Sequence, residues 1–213
     1  MKNLPFPVLH RLSLAFGILN KYEEQGVSRI SSSELGNHLG QSAHTIRKDI
    51  NCCGVAGGAG TKYEIAALKK LIRDQLGFGI TRNCCIVGFG KLGSAILDHL
   101  PGATDGTCRL VAGFDSNVNR LETVKASIPL FPAYRIEEIV RQMKIELAII
   151  TVAPEQAQEV ADRCCDGGVV GLLNFAPVII KPKSGDVFIR SMDIAGELRI
   201  LAAQAFTNIK TDE

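Results

Sequence analysis

Three glycines, Gly88, Gly90 and Gly93, stand in G-x-G-x-x-G spacing inside Cys85-Ile-Val-Gly-Phe-Gly-Lys-Leu-Gly93. The apolar run Cys84 to Val87 before them has the length and composition of a buried strand. Lys91 to Leu100 after them reads as a helix. A strand, a glycine turn and a helix in that order constrain the fold more than any other feature of the chain. Gly88 allows the sharp turn, Gly90 lets a pyrophosphate approach the backbone, and Gly93 lets helix and strand pack closely. The helix N-terminus offers N–H groups and a partial positive charge to phosphate, so Phe89, Lys91 and Leu92 fall within the candidate site as well. Asp115 closes the next apolar run, twenty-two positions past Gly93. A carboxylate there accepts hydrogen bonds from a ribose diol and repels a 2′-phosphate, which favours NAD(H) over NADP(H). Without a ligand the same residues make a plain glycine-rich turn.

The pattern continues beyond this unit. Cys108 to Phe114, Leu147 to Val152 and Val169 to Asn174 are further strand-length apolar runs. Ile136 to Lys144 and Glu155 to Cys165 are helical segments between them. Such alternation predicts an α/β domain with a doubly wound parallel sheet, over 80–192. From Asp193 to Ile209 the residues Ile194, Leu198, Leu201, Ala205 and Phe206 recur at helical spacing. This last segment, 193–213, is amphipathic and needs a surface to cover.

Residues 1–79 read differently. Leu9, Leu12, Phe16, Leu19 and Tyr22 form one stripe of a helix over Val8 to Tyr22, ending near Gly26. Ser31-Ser-Ser-Glu34 has capping-box spacing and starts a short second helix through His38. Gly40 ends it, and Ser42 caps a third helix from Ala43 to Ile50. Ala43, Ile46 and Ile50 are expected to face inward, leaving His44, Thr45, Arg47 and Lys48 outside. Two short helices joined through Leu39-Gly-Gln-Ser42 make a helix-turn-helix, and the outer set suits base edges and phosphates. The glycine-rich stretch from Gly54 to Tyr63 fits the wing of a winged helix, with Lys62 beside its β-prone end. The other reading is a three-helix bundle with a solvated charged face. A helix from Ala66 to Leu76 follows, and Gly77-Phe-Gly79 reads as a hinge.

Charge is uneven. Residues 1–80 carry ten Lys/Arg against six Asp/Glu, and the remainder fourteen against sixteen. A basic front fits a polyanionic partner. Neither an apolar run of membrane length nor a signal-peptide pattern is legible, so a cytoplasmic location is expected. Six of the seven cysteines are adjacent pairs, Cys52-Cys53, Cys84-Cys85 and Cys164-Cys165, with Cys108 alone. No C-x-x-C metal spacing occurs, and no metal is expected. These cysteines read as small apolar fillers, with a thiol-based redox response as the sharper alternative.

Hydride transfer needs an acid/base beside the nicotinamide. His10, His38 and His44 lie in the front half, and His99 falls late in the helix after the glycine turn. Tyr134 has no lysine four positions on, and no segment is left for a substrate domain. A nucleotide pocket without catalytic residues favours sensing over chemistry.

Taken together, Ser31-Ser-Ser-Glu-Leu35, Thr45-Ile-Arg-Lys-Asp49, the glycine turn through Ser94, Gly113-Phe-Asp115, Thr151-Val-Ala-Pro154, Gly171-Leu-Leu-Asn-Phe-Ala-Pro-Val178 and Met192-Asp193 resemble the Rex family over about residues 5–207. Rex proteins are redox-sensing transcriptional repressors with a winged-helix domain followed by a Rossmann domain. The resemblance implies a homodimer on a palindromic double-stranded operator, released when NADH rises relative to NAD+. It implies that the nucleotide lies along Gly88 to Gly93 with its ribose on Asp115, and that its far end passes Thr151, Val152, Asn174, Phe175, Ala176 and Pro177. Asp193 belongs to the family's interdomain switch, and the C-terminal helix is swapped into the partner. Arg47 and Lys48 match recognition-helix positions, with Ser42, His44, Thr45 and Lys62 around them. The chain also departs from the family. Cys52-Cys53 replaces an aromatic pair, Gly58 and Ala59 replace basic wing residues, and Gly17, His99 and Ile194 replace an arginine, a tyrosine and an aromatic or leucine at the switch. Three alternatives follow: a DNA-binding paralogue with weakened or lost NADH response, a small NAD-dependent oxidoreductase, and a Rossmann pocket for CoA, whose 3′-phosphate Asp115 opposes.

Overall fold

The computed structural model describes residues 4–54, 60, 62–100, 104–183 and 185–209. The chain divides into two compact units, Met1–Ile80 and Thr81–Glu213.

The first unit is helical with one two-stranded ribbon. Helix α1 spans Phe6–Glu24, strand β1 Arg29–Ser31, α2 Ser32–Leu39, α3 Ala43–Cys52, β2 Lys62–Glu64 and α4 Ile65–Leu76. On α1 the buried residues are Leu12, Ala15, Phe16 and Leu19, whereas Leu9, expected on the inner stripe, is exposed. The helix begins at Phe6, after Pro5, and Ala15 joins the buried face. The Ser31 capping box is formed. Its hydroxyl accepts from the Glu34 N–H at 3.1 Å, and the Glu34 carboxylate accepts from the Ser31 N–H at 2.7 Å. These bonds from Ser31 hold the Glu34 carboxyl below its ordinary range. Ser42 accepts from the Thr45 N–H at 3.1 Å and so caps α3. That helix buries Ile46, Asp49 and Ile50 and runs past Ile50 to Cys52, while Ala43 is half-buried.

Strand β1 was not legible in the sequence. Three residues, Arg29 to Ser31, pair antiparallel with Glu64 to Lys62, and only Ile30 of them is buried. A single apolar residue gives no period to detect. The expected wing tip, including Gly58 and Ala59, lies outside the described residues. Leu12, Leu19, Ile30, Leu35, Ile46, Ile50, Ile65 and Ile72 form the core of this unit. Each contributes about 1.5–3 kcal/mol relative to exposure.

The second unit is a six-stranded sheet in the order β5-β4-β3-β6-β7-β8, with every pair parallel. Its strands are β3 Arg82–Val87, β4 Cys108–Asp115, β5 Leu130–Pro132, β6 Leu147–Ile150, β7 Gly171–Asn174 and β8 Phe188–Ser191. Helices α5 Lys91–His99 and α6 Val118–Thr123 lie on the connections β3–β4 and β4–β5. Helices α7 Ile136–Gln142 and α8 Pro154–Gly167 lie on β5–β6 and β6–β7, and α9 Ile194–Ile209 follows β8. Strands β5 and β8 and helix α6 were missed in the sequence. Strand β5 has three half-buried residues, β8 is largely exposed, and α6 buries nothing, so none carries a periodic apolar signal.

Alternate residues of the central strands feed two cores. Cys85, Val87, Phe114, Ala148, Ile150 and Leu172 pack with α7 and α8. Cys84, Ile86 and Ile149 pack with Phe89 and Leu97. The sheet order reverses direction between β3 and β6. In open parallel sheets that is the crevice where ligands bind, beyond the carboxyl ends of the strands.

Candidate nucleotide site and helix-turn-helix

Strand register brings the predicted nucleotide residues together at one edge of the sheet. Val87 lies level with Phe114 and Ile150, and Ile150 with Asn174. The residues that follow these strands, Gly88, Asp115, Thr151 with Val152, and Phe175, therefore stand side by side along the carboxyl edge. Asp193 follows β8 at the same edge.

The glycine turn is held by bonds to its neighbours. The Gly88 N–H donates to Phe114 O at 2.7 Å. The Thr151 hydroxyl donates to Val87 O at 3.0 Å and to Gly88 O at 2.7 Å. Gly88 has φ +98°, and a Cβ there would stand 2.8 Å from Thr151 O. A Cβ on Gly93 would meet Gly88 O at 1.9 Å. At Gly90 a Cβ would meet nothing within 4 Å, so space lies open directly above the turn. No side chain caps α5 at Gly90, and the first N–H groups of α5 border that space. This combination of room, bare N–H groups and helix N-terminus fits a pyrophosphate. Lys91 and Leu92 are exposed beside it. Phe89 contributes its backbone, because its ring is buried against Gly113.

Asp115 is buried and accepts three hydrogen bonds. Its Oδ2 accepts from the Phe89 N–H at 2.7 Å and from Arg120 Nη1 at 3.2 Å, and its Oδ1 accepts from the Asn117 N–H at 2.8 Å. Arg120, five positions past the acid, belongs to no motif that marks it in the sequence. Asn174 is also fully engaged. Its amide donates to Ala176 O and Val178 O, and its carbonyl accepts from the Ala176 N–H. It shapes the loop through Phe175, Ala176 and Pro177, of which Pro177 is exposed and Ala176 buried. Asp193 accepts from the Gly196 N–H at 2.9 Å and from Arg199 at 3.2 Å, and so caps the start of α9.

In the first unit, Gly36 lets α2 and α3 close on their turn: a Cβ there would lie 2.5 Å from Gln41 O. On α3, His44 and Lys48 are exposed one turn apart, and Thr45 and Arg47 are half-buried. Arg47 Nη1 donates to the buried Ser32 hydroxyl at 3.0 Å. Lys62 is exposed on β2, opposite Ser31. Arg11 grips Asp49 from α1, Nε to Oδ2 at 2.6 Å and Nη2 to Oδ1 at 2.8 Å. That carboxylate raises the guanidinium pKa. The pair was not foreseen; thirty-eight residues separate its members.

The thiols of Cys53, Cys84 and Cys85 sit in buried surroundings that suppress reactivity. Burial pushes Cys84 up to about 12 and Cys53 up to about 11. A hydrogen bond with the Cys164 thiol, and then burial, push Cys85 up. Among the described residues no cluster of three or more His, Cys, Asp or Glu is placed to hold a metal. Among the same residues no helix is long and apolar enough to cross a membrane.

Residues 3–51 match the family described as "Putative DNA-binding protein N-terminus", and residues 80–178 match "CoA binding domain". The redox-sensing transcriptional repressor Rex of Limosilactobacillus reuteri (strain DSM 20016) is 33% identical over 201 residues, 94% of this chain and 92% of that protein. Among solved structures, the chain is similar to RSP, a Rex-family repressor. RSP in complex with β-NADH aligns with a TM-score of 0.84 at 27% identity, covering 100% of this chain and 99% of that one. RSP in complex with β-NAD+ and operator DNA aligns with a TM-score of 0.84 at 28% identity, covering 99% of each. With a relative of this identity matched over nearly its full length, the chain belongs to the Rex family of redox-sensing transcriptional repressors.

Proposed function

We propose that this protein is a cytoplasmic DNA-binding repressor that reports the NADH/NAD+ ratio, holding its operator as a dimer and leaving it when NADH binds. One observation carries the reading: a dinucleotide cradle at the carboxyl edge of a parallel sheet and a capped helix-turn-helix occur in one chain. RSP, similar over the whole length, has been solved with NADH and with NAD+ plus operator DNA.

In this reading the N–H groups around Gly88 to Gly93 bind the pyrophosphate and Asp115 the adenosine ribose. Thr151 fixes the turn, while Val152 and the loop Asn174 to Pro177 border the nicotinamide end. NAD(H) supplies no reaction here; it is an effector whose ring differs in charge and planarity between its two redox states. His44, Arg47, Lys48 and Lys62 face the duplex, and Ser42 and Thr45 hold the helix start near the phosphates. An arginine paired to a guanine edge contributes about 1–3 kcal/mol of discrimination.

Dimerisation through α9 has support within the second unit. Ile194, Leu198, Leu201 and Phe206 of α9 are exposed. The sheet in turn carries an apolar hollow of about 350 Å³ lined by Leu147, Ile149, Leu173 and Phe188. A helix with an uncovered apolar face and a sheet with an uncovered apolar face complement each other across two copies. Asp193, at the head of this helix, then stands where nucleotide occupancy and dimer geometry meet. NADH shifts the dimer only by its differential affinity for two arrangements; a hundredfold preference corresponds to about 2.7 kcal/mol.

The test is selection of duplexes from a randomised pool with NAD+ present. Enrichment of a palindrome that NADH then elutes is expected. Failure to enrich any duplex contradicts the reading.

A further inference from the structure

The nucleotide site carries two opposed signatures in direct contact. An acidic residue closing the second strand binds a ribose 2′-hydroxyl and rejects a 2′-phosphate, whereas an arginine nearby accommodates that phosphate. Here Asp115 and Arg120 are in direct contact, with Nη1 3.2 Å from Oδ2. Asp115 is 3% exposed and already accepts two backbone N–H bonds, from Phe89 and Asn117. Arg120 is 43% exposed and lies on the solvent side of the pair, on helix α6, whose start Asn117 caps. The charge of the carboxylate is therefore largely offset. The positive partner is the more accessible of the two.

We propose that Arg120 is a specificity-determining residue that relaxes the rejection of 2′-phosphorylated dinucleotides, so that the site takes NADPH as a weaker second ligand. The inference rests on the nucleotide-binding reading above. Repulsion by Asp115 is what excludes the phosphate, and a guanidinium ion-paired to it both screens that repulsion and supplies donors to phosphate oxygens. A charge-assisted hydrogen bond of this kind contributes about tenfold or more in affinity.

The experiment is equilibrium binding of NADH and NADPH to the full-length protein, followed by nucleotide fluorescence, for wild type, Arg120→Gln and Arg120→Lys. The ratio of the two affinities is the readout. It cancels any common effect of the substitution on folding or on access to Asp115. Wild type is expected to bind NADH more tightly but NADPH measurably. Arg120→Gln raises the preference for NADH about tenfold, and Arg120→Lys stays near wild type. An unchanged ratio in Arg120→Gln overturns the proposal, as does a wild-type protein that binds NADH and shows no NADPH binding at a hundredfold higher concentration. In both cases NADH binding persists, so the nucleotide reading survives. Binding of neither nucleotide to wild type removes that reading and this inference together.

Discussion

The ion pair between Arg11 and Asp49 couples the first helix of the DNA-facing unit to the helix that presents Arg47 and Lys48. Its worth follows from its surroundings. The Asp49 side chain is 5% exposed and that of Arg11 22%, and two parallel N–H···O bonds join them. Replacing Arg11 by Met keeps most of the packing volume but leaves a carboxylate in the core without its cation. Removing one partner of a buried pair costs about 3–5 kcal/mol. Partial exposure of the guanidinium places this case near the lower bound. The assay is urea unfolding followed by tyrosine emission. The chain has no Trp and three Tyr, of which Tyr22 and Tyr63 lie in the first unit. With a slope of about 1–1.5 kcal/mol per M for a unit of this size, the midpoint falls by roughly 2 M. The double variant Arg11→Met, Asp49→Leu should recover most of the loss, because it removes the stranded charge. A midpoint shift in Arg11→Met below about 0.3 M would refute the reasoning, since that is the behaviour of a solvated surface pair.

Three further outcomes follow from the site geometry. Gly93→Ala drives a methyl group into Gly88 O and should weaken NADH binding at least tenfold, measured by nucleotide fluorescence. Wild-type affinity would contradict the packing. Lys48→Ala should lower affinity for every duplex and reduce the slope of log affinity against log salt by about 1, as expected for one lost phosphate contact. Alkylation of the native protein at pH 8, mapped by mass spectrometry, should modify exposed Cys52 first. Cys84 and Cys53, with thiols pushed up to about 12 and about 11, stay protected until unfolding because the thiolate is scarce below those values. Early labelling of Cys84 would restore the redox reading of the cysteines.

Much of the architecture was legible in the sequence because strong local signals and the fold agree. The glycine turn, the capping box at Ser31 and the apolar runs Cys84 to Val87 and Leu147 to Ile150 each announce their structure through backbone chemistry or composition. What was missed lacks such a signal. Strand β1 is defined by its partner, β8 is an exposed edge, and on α1 the small Ala15 is buried whereas Leu9 is exposed. In the candidate site, residue types were readable but their partners were not. Nothing in spacing shows that Asn174 turns inward to build its own loop, that Ser32 holds Arg47, or that Arg120 covers Asp115. Those are contacts made by tertiary folding, and each changes what the exposed chemistry does.

Whether a nucleotide governs a DNA-binding dimer is tested most directly by fluorescence anisotropy of a selected palindromic duplex bound to the full-length protein. NADH and NAD+ are titrated in parallel at fixed salt. NADH should release the duplex at concentrations where NAD+ leaves it bound. An anisotropy that follows both nucleotides equally, or neither, would contradict it.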